Sequence, residues 1–275
     1  MPAKKILLAG GGTGGHIYPA IAIAKAIKHK FPEAEIIFAG TNKGLENELV
    51  VKAGFPLKKI RIAGFKRKLS IDTLRSTKTL ALGAMDSIKL LLREKPDLVI
   101  GTGGYVSGPV LFFASLFKIP SIIHEQNVKP GITNRILSRF VDRIAVSFFD
   151  SVKYFPEGTT ILTGNPLRED IATGDKVEAL KHFGLSPNLP TVLSFGGSQG
   201  AARINKAIVY IITQLKNKPI FQLIHITGKN HYDKICEVLV NKGIDLDDMG
   251  HIIVRPYIHQ MEKAYAACDL VISRA

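Results

Sequence analysis

Ile6-Leu7-Leu8-Ala9-Gly10-Gly11-Gly12-Thr13-Gly14-Gly15-His16 is an apolar run that breaks into glycines, and the periodic stretch from Ile17 to Lys30 behind it reads as a helix. Strand, glycine loop and helix in that order make a nucleotide-type βα unit. Glycine has no Cβ, so the loop can turn sharply and bring its backbone close to a ligand. The free N–H groups and positive dipole end of the following helix favour an anion, with a phosphate as the expected occupant. The spacing Gly10-x-Gly12-x-x-Gly15 also satisfies the dinucleotide fingerprint, which requires an Asp or Glu at the end of the second strand to hold a ribose. That strand, Glu35-Ile-Ile-Phe-Ala39, runs instead into Gly40-Thr41-Asn42, and Glu33 and Glu35 lie at its other end. The missing acid argues against a nicotinamide oxidoreductase.

Outward from this stretch, short apolar runs alternate with amphipathic segments, the signature of a parallel sheet covered by helices on both faces. Strands are expected near 4–9, 34–39, 57–62, 97–101, 121–124, 143–146 and 160–163. The fourth opens into a second glycine loop, Thr102-Gly-Gly-Tyr-Val-Ser-Gly-Pro109, and the fifth into His124-Glu-Gln-Asn127. Ligands of such sheets bind beyond the carboxyl ends of the strands, so these loops define one edge of a site. Four consecutive polar residues at a strand end are also poor core material. Gly164-Asn-Pro-Leu-Arg168 reads as a domain crossing, giving domains 1–164 and 165–275. A new βα series then starts with Thr191-Val-Leu-Ser-Phe195 and a third glycine loop, Gly196-Gly-Ser-Gln-Gly-Ala201. Strands near 220–227, 251–255 and 269–273 follow, and the shorter second series carries the expectation of an incomplete second domain and a longer natural chain.

Composition narrows the class. At 46% apolar residues the chain can bury a sizeable core, and 37 Lys and Arg against 23 acids give a formal charge of +14. The first 150 residues hold 23 of the basic and 11 of the acidic side chains, so the basic face belongs to the first half. Such asymmetry suits a polyanionic partner: nucleic acid, an anionic membrane or a pyrophosphate compound. Between Phe65 and Leu82 cations such as Lys66, Arg67 and Lys68 alternate with Leu69, Ile71, Leu74 and Leu80, the composition of a surface that lies on anionic lipid. Aromatic clusters for stacking single-stranded nucleic acid are lacking. Cys236 and Cys268 have neither metal-ligand nor disulfide spacing, and the apolar run Val106 to Phe117 is too short to span a bilayer.

Gly11-Gly-Thr-Gly-Gly-His16, Gly101-Thr-Gly-Gly-Tyr105, His124-Glu-Gln-Asn127, Gly164-Asn-Pro-Leu-Arg168 and Gly196-Gly-Ser-Gln-Gly-Ala201, in this order and spacing, resemble the MurG family of bacterial N-acetylglucosaminyltransferases. The resemblance covers all 275 residues. It implies an α/β fold of GT-B type, two Rossmann-like parallel-sheet domains facing across a cleft. It further implies an inverting transfer of N-acetylglucosamine from its UDP derivative to the C4 hydroxyl of the muramyl sugar of an undecaprenyl-pyrophosphoryl-muramyl-pentapeptide, in peptidoglycan synthesis. The setting would be peripheral, at the cytoplasmic face of the membrane, with no metal, cofactor or nucleic acid. By resemblance Thr13, Gly14, Gly15, Asn127, Arg168, Ser198 and Ile258 match donor positions, and Tyr105 and Asn134 lie on the acceptor side. An attacking hydroxyl must lose a proton as a diphosphate departs, so a base and positive dipoles are needed. His16 is the candidate base, with Glu125 as rival or as the group that orients the acceptor. A sugar-nucleotide epimerase of similar fold and a non-catalytic lipid-binding remnant are the alternatives. Family members continue past a strand like Leu270–Ser273 into a helix bearing a ribose-binding glutamate, so a chain extending past Ala275 is expected.

Overall fold

The computed structural model describes residues 4–42, 44–62, 72–167, 171, 174–197, 200–215 and 219–274, with the backbone alone for 72–80. Lys66, Arg67 and Lys68 with their apolar neighbours from Phe65 to Ile71, and the site candidates Arg168 and Ser198, lie outside these residues. The chain divides into two compact units, residues 1–168 and 169–275.

In the first unit the elements are β1 (Lys5–Gly10), α1 (Gly14–Lys30), β2 (Glu35–Gly40), α2 (Glu46–Lys52), β3 (Leu57–Lys59), α3 (Asp72–Glu94), β4 (Leu98–Gly103), α4 (Gly104–Leu116), β5 (Ser121–Glu125), α5 (Ile132–Leu137), β6 (Arg143–Val146) and β7 (Thr160–Leu162), with a 3-10 turn over Phe149–Tyr154. The strands pair in parallel in the order β3-β2-β1-β4-β5-β6-β7. Strand alternation explains both covered faces. Leu7, Ala9, Ile37 and Val99 pack with Leu91, Val106 and Val110 on one side, while Ile6, Leu8, Ile36 and Phe38 meet Ile17, Ala20, Ile21 and Val50 on the other. Strand order reverses between β1 and β4, so the helices that follow them, α1 and α4, cover opposite faces of the sheet. This is the switch point at which open α/β sheets bind ligands.

The second unit repeats the scheme with α6 (Lys176–Phe183), β8 (Thr191–Phe195), α7 (Ala202–Leu215), β9 (Gln222–Ile226), α8 (Tyr232–Asn241), β10 (Ile252–Arg255), α9 (Met261–Ala267) and β11 (Leu270–Ser273). Its parallel order is β10-β9-β8-β11, again reversing beside the first strand of the unit. Asp175 caps α6 by accepting the Glu178 N–H at 2.7 Å, and Gly184 closes the helix in the left-handed region at φ +68°. Val192, Leu223, Ile252 and Val254 face one apolar layer and Leu193, Ile224 and Ile226 the other.

A buried imidazole lies in this second sheet. His225 Nδ1 donates to the Ser194 carbonyl at 3.3 Å, and Nε2 has no partner among the described residues. Burial pushes its pKa from 6.5 down to about 4. The unfolded chain therefore takes up a proton from about pH 6.5 that the folded chain refuses until pH nears 4, and stability is lost as pH falls through that window. A gap of this size corresponds to about 3 kcal/mol. Urea unfolding at pH 7 and pH 4.5 should show this loss for the native chain and a shallower one for His225→Gln. Parallel pH dependence in the two proteins would assign the loss to other groups.

Candidate functional site

At the switch point of the first unit the two glycine loops are interlocked. A Cβ added at Gly104, whose φ is +79°, would lie 2.2 Å from the Gly11 carbonyl oxygen. One at Gly10 would lie 2.1 Å from Thr102 Oγ1, one at Gly11 2.7 Å from Val106, and one at Gly12, with φ +90°, 2.8 Å from the Tyr105 ring. Three of the first loop's glycines are thus explained by close approach of the second loop. The contact is reinforced by hydroxyls. Thr102 Oγ1 donates to the His16 carbonyl at 2.7 Å, and Ser107 Oγ lies 2.6 Å from the Ala9 carbonyl and 2.8 Å from that of Gly103.

Gly15 differs from these three. Its Cβ direction meets only Thr13 Oγ1 at 3.7 Å, and both residues are exposed. Thr13 is the extended N-cap of α1, its side chain caps no N–H, and the first turn holds no acid. The helix N-terminus from Thr13 to Gly15 therefore offers free donors, a positive dipole end and open space, the makings of an anion niche.

Two buried carboxylates hold the surrounding loops. Glu46, fully buried in the first turn of α2, accepts the Thr41 N–H at 2.9 Å and hydroxyl at 2.8 Å, and reaches the Gly12 N–H at 3.5 Å. The end of β2 itself carries no acid. The structure puts this one there, donated by the next helix and committed to backbone. Its signal was an acid in a helix first turn soon after Gly40-Thr41, a pattern that ordinary helix-end preference also produces. Glu125 is likewise buried. Its Oε1 accepts the Asn127 N–H at 2.9 Å and side-chain amide at 2.8 Å, and its Oε2 accepts Asn134 Nδ2 at 2.9 Å and the Gly131 N–H at 3.1 Å.

His16 lies over the second loop, with Nδ1 2.9 Å from the Thr102 carbonyl. A carbonyl only accepts, so Nδ1 carries the proton and Nε2 is the ring's basic nitrogen. Thr13, Gly14, Gly15, His16, Tyr105, Glu125, Asn127 and Asn134 all belong to the carboxyl edge of the first sheet. Asn127 is exposed, whereas Asn134 is buried and joined to Glu125. In the second unit Gly197 and Gly200 have φ of +83° and +75°, and a Cβ at Gly200 would lie 2.0 Å from the Thr227 carbonyl. Ile258 is buried in the apolar layer with Ile226 and Leu193, so only its main chain is available to a ligand.

Residues 6–146 match the glycosyltransferase family 28 N-terminal domain and residues 191–275 its C-terminal domain. A UDP-N-acetylglucosamine–N-acetylmuramyl-(pentapeptide) pyrophosphoryl-undecaprenol N-acetylglucosamine transferase of Thermoanaerobacter sp. (strain X514) is 51% identical over 272 residues, 98% of this chain and 74% of the relative. The crystal structure of Acinetobacter baumannii MurG superposes with a TM-score of 0.67 at 27% identity, covering 99% of this chain and 72% of that one. A UDP-GlcNAc 2-epimerase from Neisseria meningitidis bound to UDP-GlcNAc gives 0.66 at 16% identity, covering 98% and 77%, a likeness of fold alone.

The interlock is open to a direct test. Gly54, at φ +84°, has nothing within 4 Å of its Cβ direction, so Gly54→Ala isolates the backbone term, about 1 kcal/mol. Gly104→Ala adds a collision with main chain and should cost several times as much in thermal unfolding while disturbing His16. Equal destabilisation by the two substitutions would mean that the loops separate freely.

Proposed function

We propose the residue roles that follow from one premise: this chain belongs to glycosyltransferase family 28, in the MurG family of N-acetylglucosaminyltransferases. It is a transferase that moves N-acetylglucosamine from UDP-N-acetylglucosamine to the lipid-linked muramyl-peptide acceptor, built on two Rossmann-like parallel-sheet units of GT-B type. In the proposed division of labour the first unit serves the acceptor and the membrane and contributes Thr13, Gly14, Gly15 and Asn127 to the donor, and the second serves the nucleotide-sugar.

His16 acts as the general base. The observation that carries this is its Nδ1–H on the Thr102 carbonyl, which leaves Nε2 to take the proton of the muramyl C4 hydroxyl as that oxygen attacks the anomeric carbon with inversion. The bond to the UDP oxygen breaks at the same time. Thr13, Gly14 and Gly15 at the start of α1 present N–H groups and a positive dipole end suited to the charge that develops on a diphosphate, and Ser198 is assigned to the donor as well. Asn127 and Arg168 contact the donor, as does the main chain at Ile258, with Tyr105 and Asn134 on the acceptor side. Glu125 is an orienting group, because all four of its hydrogen-bond partners are N–H donors of its own loop and helix.

With radiolabelled donor and lipid-linked acceptor, His16→Ala should lower turnover by about 10² to 10⁴. Near-normal turnover would return the base assignment to Glu125, and sugar analysis that finds the donor converted to another sugar without acceptor would point to the epimerase-type reaction.

Attachment to the membrane is proposed through the first unit. Among the described residues no helix is long and apolar enough to cross a bilayer. A groove of about 550 Å³ is lined by Ile132, Ile136, Phe140 and Tyr154 together with Arg135 and Arg139. Nearby in sequence, Phe149 is 75% exposed. Apolar side chains rimmed by guanidinium groups suit the boundary between headgroups and acyl chains. Each cation near an anionic leaflet adds about 1 kcal/mol, screened by salt. Co-sedimentation with anionic vesicles should therefore weaken with salt and fall by an order of magnitude or more when Arg135 and Arg139 are both changed to Glu. If only changes at Lys66, Arg67 and Lys68 matter, the docking surface lies there instead.

A further inference from the structure

We infer that Gln126 is a positioning residue: its side-chain amide fixes the tautomer and orientation of the His16 ring and, through His124, ties that ring to Gly164, near where the chain leaves the first unit. The functional meaning rests on the reading of His16 as the base; the geometry does not.

The chain of hydrogen bonds has only one consistent direction. His16 Nδ1 lies 2.9 Å from the Thr102 carbonyl and 3.3 Å from Gln126 Oε1. Gln126 Nε2 lies 3.0 Å from the Thr102 carbonyl, 3.0 Å from His124 Nδ1 and 3.2 Å from the His124 carbonyl. Two of those partners can only accept, so this end of the amide is the NH₂ and Oε1 faces His16. Turning the amide over would set its oxygen against two carbonyls and its NH₂ against the His16 N–H. His124 Nδ1 accepts from Gln126, so Nε2 carries the proton, and it donates to the Gly164 carbonyl at 3.1 Å. His124 is buried, and desolvation holds its pKa below the ordinary value, so the ring stays neutral and keeps one nitrogen of each kind.

Both ends of the relay terminate on main-chain carbonyls, so neither imidazole can change tautomer without breaking a bond. Gly164 is held at φ +73° with nothing within 4 Å of its Cβ direction. Glycine is needed there for the backbone turn that aims its carbonyl, not for space. Gln126 governs both acceptors of the His16 Nδ1 proton: its Oε1 is one, and its Nε2–H holds the Thr102 carbonyl that is the other. Gln126 adds the second anchor that fixes the ring's direction, and it makes the ring sensitive to where Gly164 sits.

Full-length chain labelled with ¹⁵N-histidine reads the tautomers directly, and His16→Ala assigns the signals. The native protein should show His16 and His124 each in a single neutral tautomer, protonated at Nδ1 and at Nε2 respectively. Gln126→Leu should mix the tautomers of His16 and lower turnover about 10- to 100-fold, with KM within about 3-fold. Gln126→Glu keeps an acceptor for His16 but has no N–H for His124 and sets an oxygen against the Thr102 and His124 carbonyls, so His16 should hold its tautomer while His124 loses its own, with no smaller loss of turnover than in Gln126→Leu. A purely structural role would lower thermal stability without these tautomer changes. A His16 ring that keeps its tautomer in Gln126→Leu overturns the inference, whatever the activity. Unchanged turnover in His16→Ala would remove the base assignment and leave the tautomer result standing.

Discussion

The close approach of Gly104 to the Gly11 carbonyl is the contact on which the rest of the first unit's site depends. Neighbouring strands β1 and β4 send their loops to opposite faces of the sheet, and the loops cross at the carboxyl edge with no room for a Cβ at four positions. The crossing brings Thr102 under His16 and sets the Tyr105 ring on Gly12. It also leaves the α1 N-terminus uncapped and open at Gly15. Packing therefore accounts for the first three glycines of this motif, while the Cβ direction at the last, Gly15, stays open.

Loops at a strand end cannot satisfy their backbone through regular pairing, and a buried N–H without a partner costs as much as a lost hydrogen bond. Glu46 and Glu125 answer that need. Each is a buried carboxylate surrounded by N–H and O–H donors, and charge-assisted bonds of this kind are the strong ones. Their effect is to hold the loops at the carboxyl edge in one conformation.

The second unit reaches the same end with different residues. Gly200 lies against the Thr227 carbonyl, which also accepts Asn205 Nδ2 from α7, so the loop after β8 is locked to the one after β9. In both units a glycine in the left-handed region meets the backbone of an adjacent strand's loop. Adjacent parallel strands lie about 4.8 Å apart, so two loops that cross directly at their ends come into main-chain contact.

Period and punctuation in the sequence determined the elements. Each of the expected strands is present to within two or three residues at its ends, because alternating apolar faces, prolines and glycines act locally. The motifs likewise placed His16, Tyr105 and Glu125 at one edge, since a strand's carboxyl end fixes where the next residues go. Only the tertiary structure decided what each polar group does. That Glu125 accepts four N–H bonds, that Glu46 lies beneath the Gly12 loop, and that Gln126 joins two histidines all involve partners whose spacing in the chain follows no fixed period. The same holds for the glycines: a sequence says that a Cβ is absent, and only the folded chain says whether a ligand or another loop fills the space.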